Sequence, residues 1–332
     1  MLRRRKGAQG QRMRWGALCA LRIATQAGMA TVAVAGFWRG ALAEPSTPEA
    51  CQHLVARVPL RNDAGFINAP ASLNGHAARM IVDTGSEGSL VSPEAMALFD
   101  MQADPERRTV VQGTGGEGRL VPNAIIHSLR IGGVEFGPVS VPVEALPAIP
   151  PLVPAIEGLV GADLLSRYDV EFSVAEGWMA FWSPATAACS GPVGWHYLYR
   201  AVPLDMTPRK RLMASVELDG HTLHALLDSG ARSTIVSNDA AHRAGVAAAT
   251  LAGDPGGVAA GLDGRGQVYH WHRFQKLRVG QEEEIAPVLT VSPVHDAADM
   301  LLGADWFMTH RVWISYATRS LYLMPARKRT EP

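Results

Sequence analysis

Short apolar runs of Val, Ile and Leu, broken by clusters of Gly, Pro, Asn and Asp, recur along most of the 332-residue chain. Runs of that length, bounded by turn residues, read as strands. The pattern places strands at residues 56–60, 78–83, 139–143 and 171–174 in the first half. In the second half it places them at 212–218, 223–228, 268–277 and 312–316. Asn74-Gly75 and Asp219-Gly220 are two-residue hairpin turns, because both residue pairs tolerate the positive φ that a tight hairpin needs. Helix signals are few. Residues 93–99 and 238–244, the latter capped by Ser237, have helix-starting chemistry, and a further short helix is expected after each Gly-Ala-Asp. The chain reads as all-β with a few short helices.

The pattern is written twice. Val58-Pro59-Leu60 returns as Val202-Pro203-Leu204, and Asn74-Gly75-His76 as Asp219-Gly220-His221. Leu129-Arg130-Ile131-Gly132 returns as Leu277-Arg278-Val279-Gly280, and Leu159-Val160-Gly161-Ala162-Asp163 as Leu301-Leu302-Gly303-Ala304-Asp305. Between them lie Asp83-Thr84-Gly85 and Asp228-Ser229-Gly230, each delivered by an apolar run and followed by another that ends in serine. Five landmarks in one order mark an internal duplication, and hence two similar β-barrel-like lobes. The expected organisation is a first lobe at 44–182, a linker at 183–200 broken by Pro184, Gly191, Pro192 and Gly194, a second lobe at 201–326, and a tail at 327–332.

A single Asp-Thr/Ser-Gly is an ordinary turn between strands. Its recurrence inside a longer repeat points to chemistry. Peptide hydrolysis needs a base to deprotonate a water and an acid to protonate the departing amine. Two carboxylates about 3 Å apart cannot both ionise, so they share one proton and supply acid and base together. Asp83 and Asp228 are therefore the expected catalytic pair, holding the attacking water between them. Gly85 and Gly230 would let the backbones approach with their amides aimed at the carboxylates. Thr84 and Ser229 would hydrogen-bond across to the opposite loop. Ser86 offers its carboxylate an extra hydroxyl where Ala231 offers none, which makes Asp83 the expected holder of negative charge.

Charge is uneven. Lys and Arg total 31, as do Asp and Glu, but residues 1–43 carry eight of the basic residues and no acidic one. Without that segment the balance is acidic, which argues against a nucleic-acid partner. Residues 1–43 read as an export signal, with a basic start, an apolar stretch at 23–38 and Ala41-Leu42-Ala43 as a cleavage site. The expected location is therefore exported, in a bacterial periplasm, with an uncleaved membrane anchor as the alternative. Cys51 and Cys189 precede the first strand of each lobe and could form a disulfide in an oxidising compartment or remain free thiols. His270-Trp271-His272 puts two imidazoles on one strand face without a third ligand, so no metal site is assigned. Neither a nucleotide-binding loop nor a serine nucleophile elbow is present.

With both aspartate motifs and the two apolar-apolar-Gly segments Leu159-Val160-Gly161 and Leu301-Leu302-Gly303, the chain resembles the retropepsin-like aspartic peptidases, in a bacterial exported form with two halves fused. The resemblance covers residues 55–182 and 201–325. It implies a bilobal acid-protease fold with a pseudo-twofold axis, one catalytic loop from each lobe, a later apolar segment threaded beside each loop, and no cofactor. It also implies a glycine-rich flap from each half. Gly113, Thr114, Gly115 and Gly116 occupy that place in the first lobe, and Gly261, Leu262, Asp263 and Gly264 in the second. Neither segment contains the tyrosine that marks the single flap of pepsin-like enzymes. The implied activity is that of a monomeric endopeptidase acting on a peptide or protein substrate. The rivals are a non-catalytic peptide-binding module on the same fold and a self-processing or single-substrate regulatory protease.

Overall fold

The computed structural model describes residues 52–113, 118–146, 152–186, 189, 191–196, 199–260 and 266–326. Its elements are mostly strands with five short α-helices among the described residues, arranged as two lobes. Within each lobe a hairpin turns at the expected dipeptide. Phe66–Leu73 pairs with His76–Val82 around Asn74-Gly75, and Leu212–Leu218 pairs with His221–Leu227 around Asp219-Gly220. All four turn residues have positive φ, and nothing packs against either glycine, so conformation alone selects these residues. The apolar faces of these hairpins, including Ile67, Leu73, Met80, Leu218, Leu223 and Leu227, are buried in one core that extends through both lobes.

The lobes are joined by a shared run of six strands within a fifteen-stranded sheet. Its order is Leu54–Pro59, Trp178–Trp182, Asp169–Ser173, His310–Ser315, Ser320–Pro325 and Val202–Met206, three strands from each half. At its centre Asp169–Ser173 lies antiparallel to His310–Ser315. Glu171 stands opposite Trp313, its own counterpart in the duplicated numbering, so the twofold relation between the halves passes between these two residues. Every residue of Asp169–Ser173 is buried, as expected of a strand covered on both faces.

The segment between the lobes is packed, not merely a tether. Trp195 is buried in a cluster with Trp313 and Tyr322, and Val193, Tyr199 and Trp182 lie against it. Glu171 is the polar centre of this region. Its carboxylate accepts from Trp182 Nε1 (3.0 Å), Trp195 Nε1 (2.8 Å) and Arg311 Nε (2.8 Å). Three donors make burial of that charge tolerable. Cys189 is disulfide-bonded, and Cys51 lies outside the described residues.

Some expected elements are corrected. The run 268–277 is two strands, Gly266–Arg273 and Lys276–Val279, interrupted where Phe274 turns into the core. The central strands begin two residues earlier than expected, at Asp169 and His310. The helices Pro93–Leu98 and Asn238–Arg243 start where the caps predict, with Ser92 and Ser237 side chains accepting from Ala95 and Ala240 amides. Each Gly-Ala-Asp opens its helix from within the motif, at Ala162 and Ala304. No helix among the described residues is long and apolar enough to cross a membrane.

Where strands thread past the Asp-Thr/Ser-Gly loops, backbone crowding fixes residue type. A Cβ on Gly303 would overlap the backbone of Ser233, which cannot swing aside. Gly303→Ala is expected to destabilise the protein by at least about 2 kcal/mol in urea unfolding. Gly253→Ala, in a helix with open space around it, should be neutral or slightly stabilising.

Candidate active site

Asp83 and Asp228 each follow directly on the inner strand of a hairpin, His76–Val82 and His221–Leu227. A second strand runs parallel to each, Gly158–Val160 beside the first and Met300–Leu302 beside the second. The backbone N–H of Asp83 donates to the Val160 carbonyl (2.9 Å), and that of Asp228 to the Leu302 carbonyl (3.0 Å). Each aspartate is thus pinned at the end of a buried two-strand support, with both neighbours apolar so that strand position is set by burial.

The tripeptides meet face to face and bond crosswise. Thr84 N–H donates to Ser229 Oγ (3.0 Å), and Ser229 N–H donates to Thr84 Oγ1 (3.1 Å). Thr84 Oγ1 donates to the Leu227 carbonyl and Ser229 Oγ to the Val82 carbonyl, both at 2.7 Å. Both hydroxyls are buried and both use donor and acceptor capacity, so each loop is tied to the other by a closed set of four bonds. The glycines then permit the approach. A Cβ on Gly85 would overlap the Asp228 carboxylate, and one on Gly230 would overlap the Asp83 carboxylate.

Each carboxylate is cradled by its own turn. Asp83 Oδ1 accepts from the Gly85 amide (3.0 Å) and the Ser86 amide (2.9 Å). Asp228 Oδ1 accepts from the Gly230 amide (3.2 Å) and the Ala231 amide (3.0 Å). The expectation that the Ser86 hydroxyl also donates to Asp83 is corrected. That hydroxyl donates to the Gly88 carbonyl at 2.8 Å, satisfying the tight turn after the motif instead.

Both carboxyls sit above the ordinary value of 3.8, first because surrounding protein removes water from them. For Asp228 the Asp83 charge adds to that push, and its pKa lies well above the ordinary value. For Asp83 the amides of Ser86 and Gly85 and the Arg211 charge work in the opposite direction. Asp228 is also the more enclosed of the two, while Asp83 keeps an accessible face. The pair titrates as a unit, with the shared proton favouring Asp228 and the charge favouring Asp83. The expected polarity stands on burial, the amides of Ser86 and Gly85 and the charge of Arg211, with no contribution from the Ser86 hydroxyl. Tyr316, buried just past the central strand, has its hydroxyl pushed up by burial and by the same Asp83 charge.

A supporting ring was not singled out from the sequence. Six positions after each aspartate, a hydroxyl bonds the aspartate of the Gly-Ala-Asp segment. Ser89 Oγ donates to Asp163 Oδ1 (2.8 Å), and Thr234 Oγ1 to Asp305 Oδ1 (2.7 Å). The same hydroxyls accept from the amides of Gly161 and Gly303. These ties hold the threaded segments against the two aspartate loops, and the signal for them was the recurrence of Asp163 and Asp305 at matched places.

The strands on either side of the expected flap stretches pair with one another. Gln102–Val111 pairs with Arg119–Ile126, and Gly256–Ala260 with Gly266–Arg273. Near the end of each, an exposed apolar pair faces across the strands, Val110 with Leu120 and Val258 with Val268. Gly113 is described. Thr114, Gly115, Gly116, Gly261, Leu262, Asp263 and Gly264 lie outside the described residues. His272 Nδ1 meets Asp254 Oδ2 at 2.6 Å, and among the described residues no group of three or more His, Cys, Asp or Glu is placed to hold a metal ion.

The crosswise hydroxyls make a quantitative prediction. Thr84→Val leaves the Leu227 carbonyl and the Ser229 amide unpaired, so it should cost about 2–4 kcal/mol in chemical unfolding. Ser229→Ala should cost a similar amount. The double variant should cost clearly less than the sum, because both changes break one network. Strict additivity in that cycle would show that the hydroxyls act independently.

A search of curated proteins finds no match. A family model described as aspartyl protease matches residues 69–164 and again residues 214–306, the two stretches that contain the two loops and their threaded segments. With both halves matched, together more than half its length, the chain belongs to the aspartyl protease family as a fusion of two retropepsin-like halves.

Proposed function

We propose that this protein is an endopeptidase in which Asp83 and Asp228 activate one water between them. The observation that supports this best is the crosswise lock that forces two enclosed carboxyls together. A cleft that only bound peptides would gain nothing from holding two acids where one is kept from ionising. In the reaction, ionised Asp83 takes a proton from the water as its oxygen attacks the peptide carbonyl carbon. Protonated Asp228 gives its proton to the carbonyl oxygen. The tetrahedral intermediate then collapses to a carboxylic acid. The amine leaves with the proton now held by Asp83, and the hydroxyl returns its proton to Asp228. Protons balance, and the pair ends as it began. The hairpins with exposed Val110–Leu120 and Val258–Val268 supply apolar surface for an extended substrate. In the same reading residues 1–43 direct export, and the working protein begins near Glu44.

Residues 44–332 and the Asp228→Asn variant, incubated with a peptide library between pH 3 and 8, test this by mass spectrometry of new termini. New termini with the wild type alone are expected. A silent wild type would favour a binding role or one dedicated substrate, and equal cleavage by both proteins would exclude the two-carboxyl mechanism.

The raised carboxyls also predict a pH effect on stability. A carboxyl that holds its proton more tightly when folded than unfolded costs nothing below its ordinary value. It lowers stability progressively as pH rises from about 3.8 through the raised value. Asp228→Asn removes that titration. Its melting temperature should match the wild type at about pH 3.5, then exceed it by a few degrees at about pH 7. A difference independent of pH would contradict the assignment.

A further inference from the structure

The next side chain outward from each catalytic turn is charged, and the two charges are opposite. Glu87 lies four positions after Asp83, and Arg232 four after Asp228. Each is met by the tip of a hairpin from the other lobe. The tips are related by the same offset as the hairpin turns, with Ala64 and Phe66 corresponding to Arg209 and Arg211.

The two meetings differ in charge balance. Glu87 receives Arg209 Nη1 at 2.9 Å and Arg211 Nε at 3.6 Å, and Arg211 also pairs with Asp296 at 2.6 Å. Two cations and two anions cancel there. Among the described residues Arg232 meets no acid. Its Nε donates to the Ala64 carbonyl at 2.8 Å, and its guanidinium lies 5.3 Å from the centre of the Phe66 ring. A Cβ on Gly65 would stand 3.0 Å from Arg232 Cβ, so the hairpin tip also braces the base of the side chain. Among the described residues no carboxylate lies within ion-pair distance of Arg232, and the residue is exposed.

This arginine is therefore oriented through its Nε edge and its ring face, while the Nη edge is unspent. A guanidinium held that way matches a carboxylate by two parallel hydrogen bonds. Arg232 follows directly on Ala231, whose amide holds Asp228, so a chain lying across the carboxyl pair would pass close to its backbone. Such a chain passes a neutral cluster at one loop and a lone cation at the other.

We infer that Arg232 is a specificity-determining residue that receives a carboxylate of the substrate, from an Asp or Glu side chain or a free C-terminus, on one side of the scissile bond only. This rests on the peptidase reading. The pseudo-symmetric cleft thereby acquires a direction.

The test uses residues 44–332 as wild type, Arg232→Lys and Arg232→Glu, with melting temperatures confirming that each is folded. A peptide library first maps the cleavage sites. Enrichment of Asp and Glu at one position on one side of the cut is expected in the wild type. Matched peptides carrying Glu or Lys at that position then give a ratio of kcat/KM. Arg232→Glu should lower the Glu-over-Lys ratio by about tenfold or more, mainly through KM, and Arg232→Lys should keep its sign. Peptides ending near the cut as free acids or amides separate a terminal carboxylate from a side chain. Cleavage without acidic enrichment, or a ratio unmoved in Arg232→Glu, would overturn the inference while leaving the peptidase reading intact. No cleavage by the wild type would remove the reading of a general peptidase and this inference with it.

Discussion

Two acids that repel one another are held together here by two hydroxyls. The Thr84 and Ser229 side chains each give a proton to a carbonyl of the opposite half and accept one from the opposite amide. Each such bond is worth about 1 kcal/mol net, yet breaking one in a buried site costs more because its partner is stranded. The network is therefore stiffer than its summed energy suggests. Everything around it serves that stiffness. The parallel threaded strands fix where each loop begins, the Ser89–Asp163 and Thr234–Asp305 ties fix where each loop returns, and Gly85 and Gly230 leave room for the carboxyls to meet.

A duplicated fold would give the two acids identical surroundings, and identical acids have no preferred proton carrier. The halves have diverged around the axis enough to break that tie. Arg211 belongs to the second lobe but lowers the pKa of the first lobe's Asp83. Position 174 holds valine where its counterpart, 316, holds tyrosine. Glu87 and Arg232 carry opposite charge at equivalent places. Fusion of the halves into one chain is what allows this, since each copy of a site can then change alone.

Much of this was legible in the sequence because the same physical demand was written twice. The landmarks at Asp83 and Asp228, and at Gly161 and Gly303, announced both loops and the strands beside them. Asn74-Gly75 and Asp219-Gly220 gave the hairpin turns, since few other residues accept their φ. The missed elements lack such demands. Gln102–Val111 carries Asp104, Glu106, Arg107 and Arg108, and is largely exposed, so no alternation betrays it as a strand. Phe274 looked like part of a continuous strand because its burial breaks the run from the inside, a tertiary effect. The role assigned to the Ser86 hydroxyl failed for a local reason. A serine in a tight turn finds the nearer carbonyl of Gly88 before the carboxylate beside it.

The central pairing of Asp169–Ser173 with His310–Ser315 joins residues about 140 positions apart and closes only when nearly the whole chain is present. Until then the first half carries this strand with one edge unpaired, Val170 and Phe172 on one face and Asp169, Glu171 and Ser173 on the other. Its natural complement is a strand of the same pattern, and another copy of the first half provides one. Synthesis thus passes through an interval in which self-association between nascent chains competes with completion of the fold. The seam that makes one protein out of two halves is also where two unfinished proteins would stick.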